Sequence, residues 1–127
     1  MNARKNIMVV DDNPDLVEIV KSILSAKGYT VQCVYGGEEV FSRVEEQKPD
    51  LILLDIMMPR MDGFMVLARL RGSPDTSGIP VILLTGRNRF DDVLKGYGMG
   101  TDYYISKPFT PTQLLNGISL VLGNGNN

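Results

Sequence analysis

The chain contains no histidine and one cysteine, Cys33. Without histidine there is no Ser-His-Asp or Cys-His nucleophile, no histidine-built zinc site and no phosphohistidine on this polypeptide. One cysteine excludes an internal disulfide and a cysteine-built metal centre. Basic charge is also short: 13 Lys and Arg against 15 Asp and Glu leave a formal net charge of −2. That balance offers no footprint for nucleic acid or an anionic membrane surface. Long apolar runs are missing as well. The stretch Ile7-Met8-Val9-Val10 after Arg4 and Lys5 stops at Asp11-Asp12, too short for a signal segment or a bilayer span. No membrane partner and a cytoplasmic setting are therefore expected. Whatever chemistry the chain performs must run on carboxylates, hydroxyls and lysine.

A length of 127 residues suits one domain that buries roughly two-thirds of its unfolded surface. Five short apolar runs, at residues 7–10, 30–35, 51–54, 81–84 and 103–105, alternate with stretches of helical periodicity. Several runs are continuously apolar, as in parallel strands covered on both faces. In the first helical stretch Leu16, Ile19, Val20, Ile23 and Leu24 form the expected inward stripe, with Asn13 as cap, Pro14 in the first turn and Gly28 as stop. A second helix is expected over 38–47, with Val40, Phe41 and Val44 inward, and a third over about 64–71. A weaker fourth covers Phe90 to about Tyr97, with Val93, Leu94 and Tyr97 inward, and ends near Gly96 to Gly98. In the last helix, Thr110-x-x-Gln113 reads as a capping box, Pro111 takes the first position, and Leu114, Leu115, Ile118, Val121 and Leu122 form the stripe. Five βα units predict a doubly wound α/β domain with helices on both faces. The domain spans residues 1–122, and 123–127 reads as a flexible tail or linker stub.

Ligands of an open α/β sheet bind beyond the carboxyl ends of the strands. There strand 1 delivers Asp11 and Asp12, strand 3 Asp55, strand 4 Thr85, and strand 5 Lys107 followed by Pro108. Any one of these residues alone is commonly a cap, a turn or a solvated charge. Together they are not: carboxylates ~4 Å apart repel by about 4 kcal/mol per pair at a protein-like dielectric, which calls for a compensating cation. Three aspartates and one lysine leave −2, which a divalent ion neutralises. Hard oxygen ligands suit Mg²⁺, and a nearby nucleophilic carboxylate suits phosphoryl transfer.

These residues carry a resemblance. Asp55-Ile-Met-Met-Pro-Arg-Met-Asp-Gly63 resembles the D-x-x-M-P-x-x-D-G stretch of two-component response regulator receiver domains. The pair Asp11-Asp12, Thr85 thirty residues after Asp55, and Tyr104-x-x-Lys107-Pro108-Phe109 match the rest, from Ile7 to Leu122. The resemblance implies a flavodoxin-like parallel sheet of order 2-1-3-4-5 and a cis Lys107–Pro108 bond. It implies Asp55 as phosphoacceptor and a phosphohistidine donor, either a histidine kinase or a histidine phosphotransfer protein. Mg²⁺ would sit on Asp12, Asp55 and the carbonyl of Met57, with Asp11 acting mainly through a bound water. Lys107 would hold a phosphoryl oxygen. Thr85 and Tyr104 would form the switch to an output partner on the face of helix 4, strand 5 and helix 5.

Other features read more plainly. Gly96-x-Gly98-x-Gly100 resembles part of a dinucleotide fingerprint but precedes a strand, so a loop role is expected. Met57, Met58 and Met61 read as loop packing, and Cys33 as a small core residue. Met57 and Arg87 flank the phosphoryl position, and Gly86 replaces the family's usual alanine. Two rivals share parts of the pattern. An aspartate-nucleophile phosphatase of the haloacid dehalogenase type needs D-x-D at strand 1, where this chain has Asp11-Asp12-Asn13. A flavodoxin needs a hydroxyl-rich phosphate loop where this chain has two acids.

Overall fold

The computed structural model describes residues 4–86 and 90–123. Five strands and five helices alternate in the order β1 (Asn6–Val10), α1 (Pro14–Ala26), β2 (Thr30–Val34), α2 (Gly37–Glu46), β3 (Leu51–Asp55), α3 (Gly63–Arg71), β4 (Val81–Thr85), α4 (Phe90–Gly98), β5 (Tyr103–Ser106) and α5 (Pro111–Leu122). The strands form one parallel sheet of order β2-β1-β3-β4-β5. Every residue of β1, β3 and β4 is buried, the reason their sequences are continuously apolar instead of alternating.

Side chains alternate across the sheet and divide the core in two. Met8, Val10, Ile52, Leu54 and Leu83 face a layer that includes Val40, Val44, Phe64, Leu67 and Leu70 of α2 and α3. Ile7, Val9, Leu51, Leu53, Ile82 and Leu84 face Val17, Val20 and Leu24 of α1 and Leu114 and Ile118 of α5. The helix ends follow the expected chemistry. Asn13 Oδ1 accepts from Asp15 N and Leu16 N, and Thr110 and Gln113 close the capping box. Among the described residues no helix is long and apolar enough to cross a membrane.

Four sequence expectations are corrected. Ile19 of α1 is 57% exposed and Val17 takes its place inside, because the run Leu16-Val17 allows either phase of the stripe. In α4, Leu94 and Tyr97 are exposed and Val93 is half-buried, and among residues 93–98 the buried one is Gly96. A Cβ there would stand 2.8 Å from Leu83 Cδ1 and 3.4 Å from Thr101 Cγ2. Gly96 and Gly98 thus belong to the helix, not to a loop. Cys33 is only half-buried, as expected on β2, an edge strand.

Candidate functional site

The strand order places β1 beside β3 and β3 beside β4, with Val10 opposite Leu54 and Asp55 opposite Leu84. Asp11 and Asp12 leave β1 at the same edge where Asp55 ends β3 and Thr85 ends β4. Lys107 follows β5, its backbone N donating to Thr85 O at 2.6 Å, and its bond to Pro108 is cis. Carboxylate oxygens of Asp11, Asp12 and Asp55 all lie within 4.8 Å of one another. Asp11 and Asp55 are buried while Asp12 is exposed, so the group opens to solvent on one side.

Lys107 organises the acids. Its Nζ donates to Asp11 Oδ2 at 2.8 Å and to Asp55 Oδ1 at 3.1 Å. Asp11 Oδ1 also accepts from Asn13 N at 3.0 Å. Burial, then the neighbouring charge of Asp11, raises the Asp55 carboxyl to about 6, against the opposing pull of Lys107. Burial tends to lower Lys107, but the hydrogen bond to Asp11 and the two negative charges outweigh it and hold the ammonium above its usual range. One cation therefore serves two carboxylates, and a net negative charge remains. That deficit and the all-oxygen donor set fit a hard divalent ion such as Mg²⁺.

The other expected site residues are also at this edge or behind it. Thr85 is 1% exposed. Tyr104, half-buried, packs against the α2/α3 side of the core and pairs with Leu83 across β4 and β5. Met57 is 53% exposed, so it does not pack as expected, whereas Met58 is buried and Met61 lies against the core. Arg87 and the tail after Gly123 lie outside the described residues.

The β3–α3 loop is tightly folded. Gly63 N donates to Ile56 O at 2.9 Å, and a Cβ at Gly63 would collide with the carbonyl oxygen of Asp55. Only glycine lets α3 start this close to the acid. Asp62 caps α3 by accepting from Met65 N at 2.9 Å. An ion pair without a local sequence signature joins this loop to α2, Arg60 Nε to Glu38 Oε2 at 2.8 Å. Two residues 22 positions apart leave no periodic signal by which to find it.

A five-stranded doubly wound sheet with an acidic, lysine-braced pocket at its switch point defines a class: flavodoxin-like α/β domains with their site beyond the carboxyl ends of the strands. The family model of the response regulator receiver domain matches residues 7–119, and the chain belongs to that family. It is 38% identical over 112 residues to the DNA-binding response regulator MtrA of Mycolicibacterium smegmatis, covering 88% of this chain and 48% of the relative. The chain thus spans about half the length of the curated relatives it matches. Among solved structures, the receiver domain of a signal transduction histidine kinase from Syntrophus aciditrophicus is similar, with a TM-score of 0.86 and 35% identity over 97% of this chain and 93% of that one. A CheY-like receiver domain from Methanospirillum hungatei gives 0.88 and 30%, covering 96% of both chains. The domain is accordingly a phosphorylation-activated signalling switch of the two-component type.

Proposed function

We propose that Asp55 accepts a phosphoryl group from a phosphohistidine on a histidine kinase or histidine phosphotransfer protein. A carboxylate oxygen of Asp55 would bond to phosphorus as the P–N bond to the imidazole breaks, and water would later hydrolyse the acyl phosphate. The observation that carries this reading is Lys107 Nζ held between Asp11 and Asp55. Asp12, Asp55 and the Met57 carbonyl would hold Mg²⁺, with Asp11 acting through a water. Bound there, the ion would screen the acids and the incoming anion from each other. Lys107 would then exchange a carboxylate for a phosphoryl oxygen. The chain acts on itself alone, slowly losing what it accepts, and is not otherwise an enzyme.

Thr85 and Tyr104 would report the phosphoryl group to the face of α4, β5 and α5, where an output protein or domain docks. That assignment is supported by a groove of about 510 Å³ on the β5 and α5 part of this face, lined by Tyr103, Tyr104, Gln113, Asn116 and Leu120 among others. With a net charge of −2, the chain by itself should not bind nucleic acid. A cytoplasmic setting is part of the same proposal, because phosphohistidine donors of two-component systems work there, and the receiver unit is assigned to 1–122.

Acetyl phosphate with Mg²⁺ tests the core of this reading. The protein should gain one phosphoryl mass, stable in acid and labile in base, and EDTA should block the gain. An Asp55→Asn protein that labels at the wild-type rate would overturn the assignment.

A further inference from the structure

Among the described residues Arg60 alone combines a side chain with a left-handed backbone, at φ 65°. Across it Met61 N donates to Pro59 O at 2.7 Å. An i→i+2 bond around a positive φ is a γ-turn in its rarer, strained sense. Such a conformation is costly and persists only where its surroundings hold it. The turn lies in the loop that leaves Asp55, carries Met57 and enters α3.

The surroundings that hold it come from α2. A Cβ at Gly37, the first residue of α2, would stand 2.7 Å from Met61 O, so helix and loop lie flush. The side-chain bridge between them is Arg60 Nε to Glu38 Oε2 at 2.8 Å. The Arg60 hydrogen bond keeps the Glu38 carboxyl below its usual range, so the pair stays charged. Both side chains are largely in water, 77% and 46% exposed, and an ion pair so exposed adds little to global stability. What it can do is bias the position of a loop that is already strained.

We propose that Glu38 and Arg60 are a positioning pair for the cation site: by clamping the β3–α3 loop to α2 they keep Met57 in place beside the three carboxylates and so raise Mg²⁺ affinity. This rests on the assignment of Met57 and the acids as the Mg²⁺ ligands. Simple charge effects make a different forecast. Loss of the Arg60 cation should tighten Mg²⁺ binding through reduced repulsion, and loss of the Glu38 anion should weaken it. Positioning requires both losses to weaken it.

The test is calorimetric titration of magnesium chloride into the wild type, Glu38→Gln, Arg60→Gln and the exchange E38R/R60E. Both single variants should raise the Kd about three- to fivefold, the scale of one exposed ion pair, and the exchange should restore most of it. Amides of Met61 and Gly63 should exchange faster in both single variants while those of β3 do not change. Labelling by acetyl phosphate should fall at low Mg²⁺ and recover as Mg²⁺ saturates. Arg60→Gln protein that binds Mg²⁺ as tightly as wild type, or more tightly, would overturn the proposal. So would weakened binding with unaltered exchange at Met61 and Gly63. A wild type that binds no Mg²⁺ would remove the underlying assignment and the proposal together, whereas normal wild-type binding with unaffected variants removes the proposal alone.

Discussion

Lys107 Nζ stands 3.1 Å from Asp55 Oδ1, and the same ammonium meets Asp11 at 2.8 Å. The acid that would receive a phosphoryl group is therefore already paired with a cation from the far side of the sheet. The pair spans β3 to the end of β5 with β4 between them. Lysine and not arginine suits this place, since a compact ammonium on a flexible stem can pass from a carboxylate to a phosphoryl oxygen.

Lys107→Ala should lower stability without metal and slow labelling. Removing one partner leaves Asp11 and Asp55 buried and unbalanced, at a cost of about 3 kcal/mol, measurable by chemical denaturation in EDTA. Mg²⁺ should recover much of that loss. Acetyl phosphate labelling should fall about a hundredfold or more even with Mg²⁺, the usual consequence of losing one donor to a developing anion. A variant that labels normally would contradict the role of Lys107.

Asp55 makes stability depend on pH in a definite direction. Its carboxyl stands at about 6 in the fold against an ordinary 3.8, so the folded state holds this proton more tightly than the unfolded chain. Ionised Asp55 then destabilises the metal-free fold fully above about pH 6, and the effect fades as pH falls toward 3.8. At 1.36 kcal/mol per pH unit the difference amounts to about 3 kcal/mol. Asp55→Asn should accordingly be more stable than wild type in EDTA at pH 7.5, with the gain disappearing near pH 4. Saturating Mg²⁺ should shrink the gain at pH 7.5. Equal denaturation midpoints in EDTA at pH 7.5 would contradict the environment described for Asp55.

Thr85→Ala should separate chemistry from signalling. Thr85 ends β4 opposite Ser106, and Leu83 two residues earlier sits opposite Tyr104. The variant should still label at Asp55, because the lysine and the acids are intact. Nuclear magnetic resonance shifts that phosphorylation induces along β5 and α5 should be strongly reduced. Shift changes equal to those of wild type would refute a coupling through Thr85.

Much of this arrangement was legible in the sequence. Continuous apolar runs ending in Asp11, Asp55 and Thr85 announced buried parallel strands that deliver polar groups to one edge, and Asn13 and Thr110 announced their helices. What could not be read depended on contacts without a local signature. Asn6 extends β1 by one polar residue because Gln32 Nε2 donates to its side chain at 2.7 Å and its own N donates to Asp50 at 2.7 Å. Arg71 ties the end of α3 to Gly100 and Asp102 at 3.0 and 3.1 Å, a contact between segments far apart in the chain. Gly96 has no side chain with which to signal that it faces the core.

The two helical glycines of α4 should therefore respond oppositely to alanine. In a helix interior, alanine is favoured over glycine by about 1 kcal/mol. At Gly98, the last residue of α4, a Cβ meets nothing within 4 Å, so Gly98→Ala should keep part of that gain and slow amide exchange across α4. At Gly96 the new methyl would stand 2.8 Å from Leu83 Cδ1, and Leu83 is fully buried. Overpacking of such a site costs typically 1–3 kcal/mol, so Gly96→Ala should be neutral or destabilising by about 1 kcal/mol. α4 carries Leu94 and Tyr97 outward and gains little burial from them, which should leave it less protected than α5 in the wild type. Denaturation midpoints of the two variants, with hydrogen exchange over residues 93–97, decide the matter. Equal stabilisation by both substitutions would mean that Gly96 does not limit how closely α4 approaches Leu83. Wild-type exchange as slow in α4 as in α5 would show that the helix is held by more than its few inward contacts.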